Sequence, residues 1–210
     1  MLVHVLDAML GTTTKVRILR ALLRLTSPAS GTEARGLAGV RSVKAMWTSL
    51  AELTELGILL RDQTPGTHLY RINREHHLAA PLAALFAAEA SRVGEVRKAL
   101  RSALEDAGLL DSVRSAVLYG SNARGEASPR SDLDVFVVTR DEAAVPLVRD
   151  VFLDAGSVIE NRFGPFLSAY VLPEARVRER YQGGDPLLHT IEEEGQEVFG
   201  TPFDELVQSW

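Results

Sequence analysis

"GSNARGEASPRSDLDVFVV", residues 120–138, decides how this chain is read. An apolar run, Val117-Leu118-Tyr119, meets a Gly-Ser pair there, and a second apolar run is entered through two aspartates one residue apart. A glycine after a strand lets an anion approach the backbone, while the N–H groups that follow and the Ser121 hydroxyl can donate to phosphate oxygens. Taken alone, Gly-Ser after a strand serves equally as a tight turn. Asp132 and Asp134 carry more information. Residues i and i+2 of a strand point to one face, so the two carboxylates converge while Leu133 and Val135 face the other way. Such a pair suits Mg2+, a hard cation that takes oxygen ligands and is completed by water and substrate phosphates. Two solvated aspartates at a strand edge are the plain alternative, but an unpaired charge leading into an apolar run is costly, which favours a metal.

The surroundings place this stretch in an α/β unit. After Asp111, short β-prone runs, "SAVLYG", "LDVFVV" and "PFLSAYVL", alternate with helix-like segments, as in a unit built on a small sheet. "NARG" has the makings of a short helix directly after the Gly-Ser pair.

The pattern as a whole is more specific than its parts. Gly-Ser, then Ala-Arg-Gly, then Ser-Asp-x-Asp leading into an apolar strand resembles the signature of the DNA polymerase β-like nucleotidyltransferase superfamily, and most of all its minimal, MNT-type branch. The matching positions are Gly120, Ser121, Ala123, Arg124, Gly125, Ser131, Asp132 and Asp134. The resemblance implies an α/β (α+β) nucleotidyltransferase fold with a small mixed sheet, binding of a nucleoside triphosphate with Mg2+, and transfer of a nucleoside monophosphate to an acceptor hydroxyl. It implies that Gly120, Ser121, Arg124 and Ser131 serve the nucleotide, the first two at its β and γ phosphates, with Arg124 supporting the phosphate loop or pairing with a carboxylate. Asp132 and Asp134 are then the catalytic residues and the metal ligands. In the full family pattern, two metals about 4 Å apart stabilise the attacking and leaving oxygens of an in-line displacement.

One departure from the family stands out. A third carboxylate is expected on a later strand, yet "GPFLSAYVLP", residues 164–173, holds no Asp or Glu, and Ser168 falls at the acid's place. Losing one of three charges weakens the second metal site most, because Mg2+ sheds its waters reluctantly. Glu160 or Glu126 is the candidate stand-in.

The N-terminal half has a different character. A helix from Thr13 is followed by a short helix, a turn at Gly39-Val40, a helix from Ser42 to the C-cap residue Gly57, and two β-prone runs around Pro65-Gly66. Leu37, Ala38, Val43, Leu50, Leu53 and Leu56 are expected in its core, and Trp47 in core or interface. This order resembles a mostly α winged helix-turn-helix domain, including those that precede a nucleotidyltransferase domain in a prokaryotic group. The resemblance implies double-stranded DNA as a partner, with Arg41, Ser42, Lys44 and Thr48 facing the duplex and Arg61, His68 and Arg71 on the wing. A winged helix used for dimerisation or partner docking remains the alternative, and a homodimer is expected.

The charge is unevenly divided, as two halves with different partners or simply faces that differ in charge would give. Residues 1–110 carry 14 Lys+Arg against 10 Asp+Glu, and residues 111–210 carry 9 against 18. The 46% hydrophobic content is ample for packed cores, no apolar run reaches the roughly 20 residues a bilayer demands, and cysteine is absent. The opening "MLVHVLDAMLG" lacks a basic start and a cleavage site, so a cytoplasmic protein with no membrane partner is expected. The expected division is 1–75 for the winged helix, 76–108 for one or two linking helices with Pro81 near a start, and 109–210 for the nucleotidyltransferase domain. His4, His76, His77 and His189 are read as surface or capping residues, and Asp185-Pro186 as a helix start. Acceptors left open are a protein, RNA or small-molecule hydroxyl; the alternatives are a weak or inactive, nucleotide-sensing, DNA-binding transcriptional regulator and an antitoxin-like protein that binds a partner toxin.

Overall fold

The computed structural model describes residues 12–128 and 130–210. His4 and the opening stretch lie outside the described residues. A boundary between two compact units falls after Ala90.

The first unit runs α1 (Thr13–Leu23), β1 (Ala29–Ser30), α2 (Gly31–Leu37), α3 (Val43–Glu55), β2 (Leu59–Thr64) and β3 (Thr67–Ile72). Its antiparallel sheet has the order β1-β3-β2, with the β2–β3 hairpin closing at Thr64–Thr67 around Gly66, whose φ of 86° only glycine adopts freely. Ser30 and Ser42 cap α2 and α3, their hydroxyls accepting from the Glu33 and Ala45 N–H groups. The core gathers Val16, Leu19 and Leu22 of α1, Met46, Leu50 and Leu53 of α3, and Leu59, Tyr70 and Ile72 of the sheet.

Three of the expected core residues are not there. Ala38, Leu50 and Leu53 are buried, but Leu37, Val43 and Leu56 are 56%, 49% and 62% exposed. The stripe Met46-Leu50-Leu53 is the buried face of α3, and Val43, its first residue, and Leu56, its C-cap residue, continue the apolar spacing at exposed helix ends. Leu37 ends α2 in the same way. Trp47 flanks the stripe and lies across Gly31, where a Cβ would come within 2.3 Å of its ring.

Helix α4 (Ala79–Asp106) is continuous through Gly94, with Pro81 in its first turn, so the linking segment is one helix. Its Glu89 receives both prongs of the buried Arg20 guanidinium of α1, Nε–Oε2 2.8 Å and Nη2–Oε1 3.1 Å.

The second unit continues through β4 (Val113–Tyr119), α5 (Gly120–Ala123), β5 (Leu133–Thr139), α6 (Ala144–Phe163), β6 (Leu167–Pro173), α7 (Glu174–Gln182), α8 (Pro186–Glu194), β7 (Gln196–Gly200) and α9 (Phe203–Gln208). Its mixed sheet has the order β6-β5-β4-β7, with β5 and β6 parallel and the other pairs antiparallel. The helix α6 makes the crossover between the two parallel strands. Alternation along the strands builds two cores. Leu133, Val135 and Val137 pack with Leu100 and Leu104 of α4 and Val148, Phe152 and Ile159 of α6. On the other face Val117, Phe136 and Val138 meet Val177, Leu188, Ile191 and Leu206 of α7, α8 and α9. Asp185 caps α8 by accepting from the Leu187 N–H, and Pro186 opens that helix. The strand β7 and the two-residue β1 have no counterpart in the sequence reading.

Candidate functional site

The site forms where the two central strands of the second unit run out together. Tyr119 closes β4 opposite Asp134, and Asp134 in turn stands beside Ser168 across the parallel pair. These three residues belong to the face that carries Phe136 and Tyr170, so they form a row on the α7–α9 side of the sheet. The chain turns away at Gly120, φ 71°, so closely that a Cβ there would stand 2.6 Å from Asp134 Oδ2. Glycine is required twice over, by the left-handed backbone and by the carboxylate behind it.

The electrostatics match that crowding. Burial, and then the Asp132 charge, push the Asp134 carboxyl above its ordinary range. Burial, followed by the charge of Asp134 and then Tyr170, raises the Tyr119 phenol as well. Half-buried Asp134 and exposed Asp132 thus stand as like charges at this edge. Asp132 and Asp134 are the carboxylates that could hold a divalent ion, a hard cation that takes oxygen ligands. Ser168 is the register partner of Asp134, and no group of three His, Cys, Asp or Glu side chains suited to a metal occurs among the described residues.

The remaining motif residues are tied into the loop. Arg124 pairs with Glu126 at 2.9 Å and with Glu194 at the end of α8 at 3.1 Å, and hydrogen bonds to these two acids push its guanidinium up from an already high value. It therefore pairs with carboxylates other than Asp132 and Asp134. Ser131 Oγ accepts from the Ser128 N–H at 2.9 Å and lies 3.1 Å from the Ser128 hydroxyl, bracing the loop before Asp132. Neither stand-in acid is offered to the site. Glu126 is held by Arg124, and Glu160 is exposed on α6, in the layer packed on the opposite face of the sheet.

Two residues at this site had escaped the sequence reading. Asn122, buried inside the motif, donates to the Asp132 carbonyl, and Gln196, first residue of β7, donates to the Ala123 carbonyl at 2.7 Å. Asn122 stands in the motif itself and its burial on a four-residue helix was the only available signal; nothing in sequence connects Gln196 to a loop some seventy residues earlier.

Comparison with known proteins agrees with the second unit. Residues 95–196 match the family model described as a nucleotidyltransferase domain. This part of the chain is nucleotidyltransferase-like. Among solved structures, a toxin-antitoxin crystallised with AMP-PNP is 15% identical, covering 54% of this chain and 82% of that one at a TM-score of 0.38. A mutant of the toxin-antitoxin MntA-HpeT is 13% identical, covering 56% and 82% at a TM-score of 0.39. No curated protein matches the chain.

In the first unit, Arg41, Lys44 and Thr48 are exposed at and along the start of α3, and Arg61 is exposed on β2. The Ser42 hydroxyl is spent on the helix cap, and Arg71 is paired with Asp62 across the hairpin at 3.0 Å. Arg61, His68, Tyr70 and Trp47 border a hollow of about 380 Å³ between α3 and the hairpin. His76 caps the next turn, its Nδ1 accepting from the Leu78 N–H, with His77 stacked beside it. No described helix is long and apolar enough to cross a membrane.

Proposed function

We propose that the second unit binds a nucleoside triphosphate with Mg2+ and transfers a nucleoside monophosphate to an acceptor hydroxyl, slowly for want of a third carboxylate. The observation that carries this reading is the contact between Gly120 and the Asp134 carboxylate, which brings the Gly-Ser turn to the Asp132–Asp134 pair, within the segment that matches nucleotidyltransferase domains. Asp132 and Asp134 hold the metal, Gly120 leaves room for phosphate, and Ser121 donates to it. When bound, Mg2+ supplies the positive charge that neutralises the phosphate oxygens. Arg124, through Glu126 and Glu194, and Ser131, through Ser128, keep the loop in shape around the nucleotide.

The test is calorimetry with ATP, GTP, CTP and UTP, with and without Mg2+, on the wild type and on Asp132→Ala with Asp134→Ala. Metal-dependent binding of one nucleotide that disappears in the variant is the expected result. A wild type that binds none of the four removes the reading.

A second reading concerns the first unit, where exposed Arg41, Lys44, Thr48 and Arg61 favour contact with a duplex. The helix order, the capped α3 and the hairpin support a winged helix-turn-helix with α3 in the major groove and the hairpin on phosphates. DNA binding by the first unit is compatible with transfer by the second, whose acceptor is then a protein partner, a toxin included. If no fragment of the gene's own upstream DNA shifts at low salt, with or without nucleotide, the DNA reading fails.

A further inference from the structure

Asp132 has an exposed side chain and sits just outside the sheet that organises the site. The ladder to β4 ends at the pair Tyr119–Asp134, and the ladder to β6 begins at Leu133–Leu167, so Asp132 belongs to neither. A residue one step ahead of a strand is free to swing unless something else holds its backbone.

Two bonds hold the Asp132–Leu133 peptide: the Leu133 N–H donates to the Phe166 carbonyl at 2.8 Å, and the Asn122 side chain takes the carbonyl side. Its Nδ2 donates to the Asp132 carbonyl at 2.5 Å, in the place of a ladder bond. Asn122 lies on α5 directly after Ser121 and is only 3% exposed. Its Oδ1 is buried with no hydrogen-bond partner. A leucine would fill the same volume without stranding an amide oxygen, so packing does not account for asparagine here, whereas the donated bond does. The loop's other anchor is separate. Gln196 Nε2 fastens the Ala123 carbonyl, and Arg97 Nη2 holds Gln196 Oε1 at 3.4 Å. Gln196 thus fixes α5 to the sheet edge, while Asn122 fixes Asp132 to α5.

We propose that Asn122 is the positioning residue of the carboxylate pair: by pinning the Asp132 backbone to the phosphate loop, it sets where the Asp132 carboxylate stands relative to Asp134. The inference rests on the nucleotide-and-metal reading above. It joins the two halves of the motif physically, since a phosphate seated at Ser121 and a cation seated at Asp132 are then one amide group apart.

The experiment titrates Mg2+ into full-length wild type, Asn122→Leu, Asn122→Ala and Gln196→Ala, each with ATP, GTP, CTP and UTP, and records thermal midpoints alongside. In both Asn122 variants the Mg2+ concentration for half-maximal nucleotide binding rises by about tenfold or more, the usual effect of losing a group that orients a metal ligand. Affinity at saturating Mg2+ stays within about twofold of wild type, because the phosphate contacts survive. Asn122→Leu keeps its thermal midpoint, which separates positioning from folding. Gln196→Ala lowers the thermal midpoint and shifts the Mg2+ requirement less than either Asn122 variant. An unaltered Mg2+ requirement in both Asn122 variants overturns the inference while the nucleotide reading stands, and so does an equal shift in Gln196→Ala. A wild type that binds no nucleotide at any Mg2+ concentration overturns the nucleotide reading itself and the inference with it.

Discussion

Asp134 and Ser168 stand side by side as register partners on the parallel strands β5 and β6. Neighbouring side chains across such a pair are close enough to share one cation. Ser168→Asp therefore rebuilds a three-acid site. Without metal it loses about 0.5 kcal/mol from like-charge contact. With Mg2+ its affinity tightens by roughly tenfold, because affinity follows the number of charged ligands. Calorimetry checks the affinity, and incorporation of labelled monophosphate into an acceptor checks turnover; a variant with wild-type affinity for Mg2+ shows that Ser168 does not occupy the acid's place.

The motif was legible in the sequence because its chemistry is local. Gly120, Ser121, Asp132 and Asp134 sit within fifteen residues, the strand period fixes which side chains share a face, and Ser168 pairs in register with Asp134. The mixed sheet and the helix-turn-helix-hairpin order were legible for the same reason. What escaped depends on long-range contact. The strand β7 is five residues whose pairing to β4 no local pattern announces, and Gln196 acts only through that pairing. Leu37, Val43 and Leu56 continue the apolar periodicity past the helix ends, and periodicity carries no information on where a neighbour stops.

Gly120 offers a sharp comparison with Gly66. Both have positive φ, 71° and 86°, but a Cβ at Gly66 meets nothing within 4 Å, while at Gly120 it meets the Asp134 carboxylate. Gly66→Ala loses about 1 kcal/mol of stability from backbone strain alone, and Gly120→Ala loses about 2 kcal/mol or more together with its nucleotide binding. Urea denaturation and nucleotide titration of the two variants check this, and equal losses of stability with binding retained refute the close approach.

The basic residues of the first unit are not equivalent. Arg71 is already neutralised by Asp62, whereas Lys44 on α3 and Arg61 on β2 are exposed. If this unit grips a duplex, Lys44→Ala and Arg61→Ala each lower the slope of log affinity against log salt by about 1, the signature of one lost phosphate contact. Arg71→Ala changes it much less. Fluorescence anisotropy over a salt series gives the slopes, and identical slopes in all three variants argue that these side chains touch no phosphate.

Stability at the site runs against function in a pH-dependent way. Burial and Asp132 raise the folded carboxyl of Asp134 above its ordinary value of 3.8. A raised folded value means that the folded state holds the proton more tightly than the unfolded chain, so this group's favourable contribution is complete below pH 3.8 and is lost as pH rises through the folded value. At neutral pH the wild type has lost it and carries a half-buried carboxylate beside Asp132. Asp134→Asn removes that charge, so the metal-free variant melts above wild type at pH 7, and the difference shrinks as pH falls through the raised folded value of Asp134 and is gone below 3.8. Added Mg2+ reverses the order, because a cation that binds only the folded wild type stabilises it by about 2.7 kcal/mol at a hundred times its dissociation constant. Thermal melts of both proteins at pH 7 and near pH 3.5, each with and without Mg2+, test the sequence of effects. A wild type that is the more stable protein at pH 7 without metal means that Asp134 is satisfied by the protein alone, and the case for a cation between Asp132 and Asp134 falls.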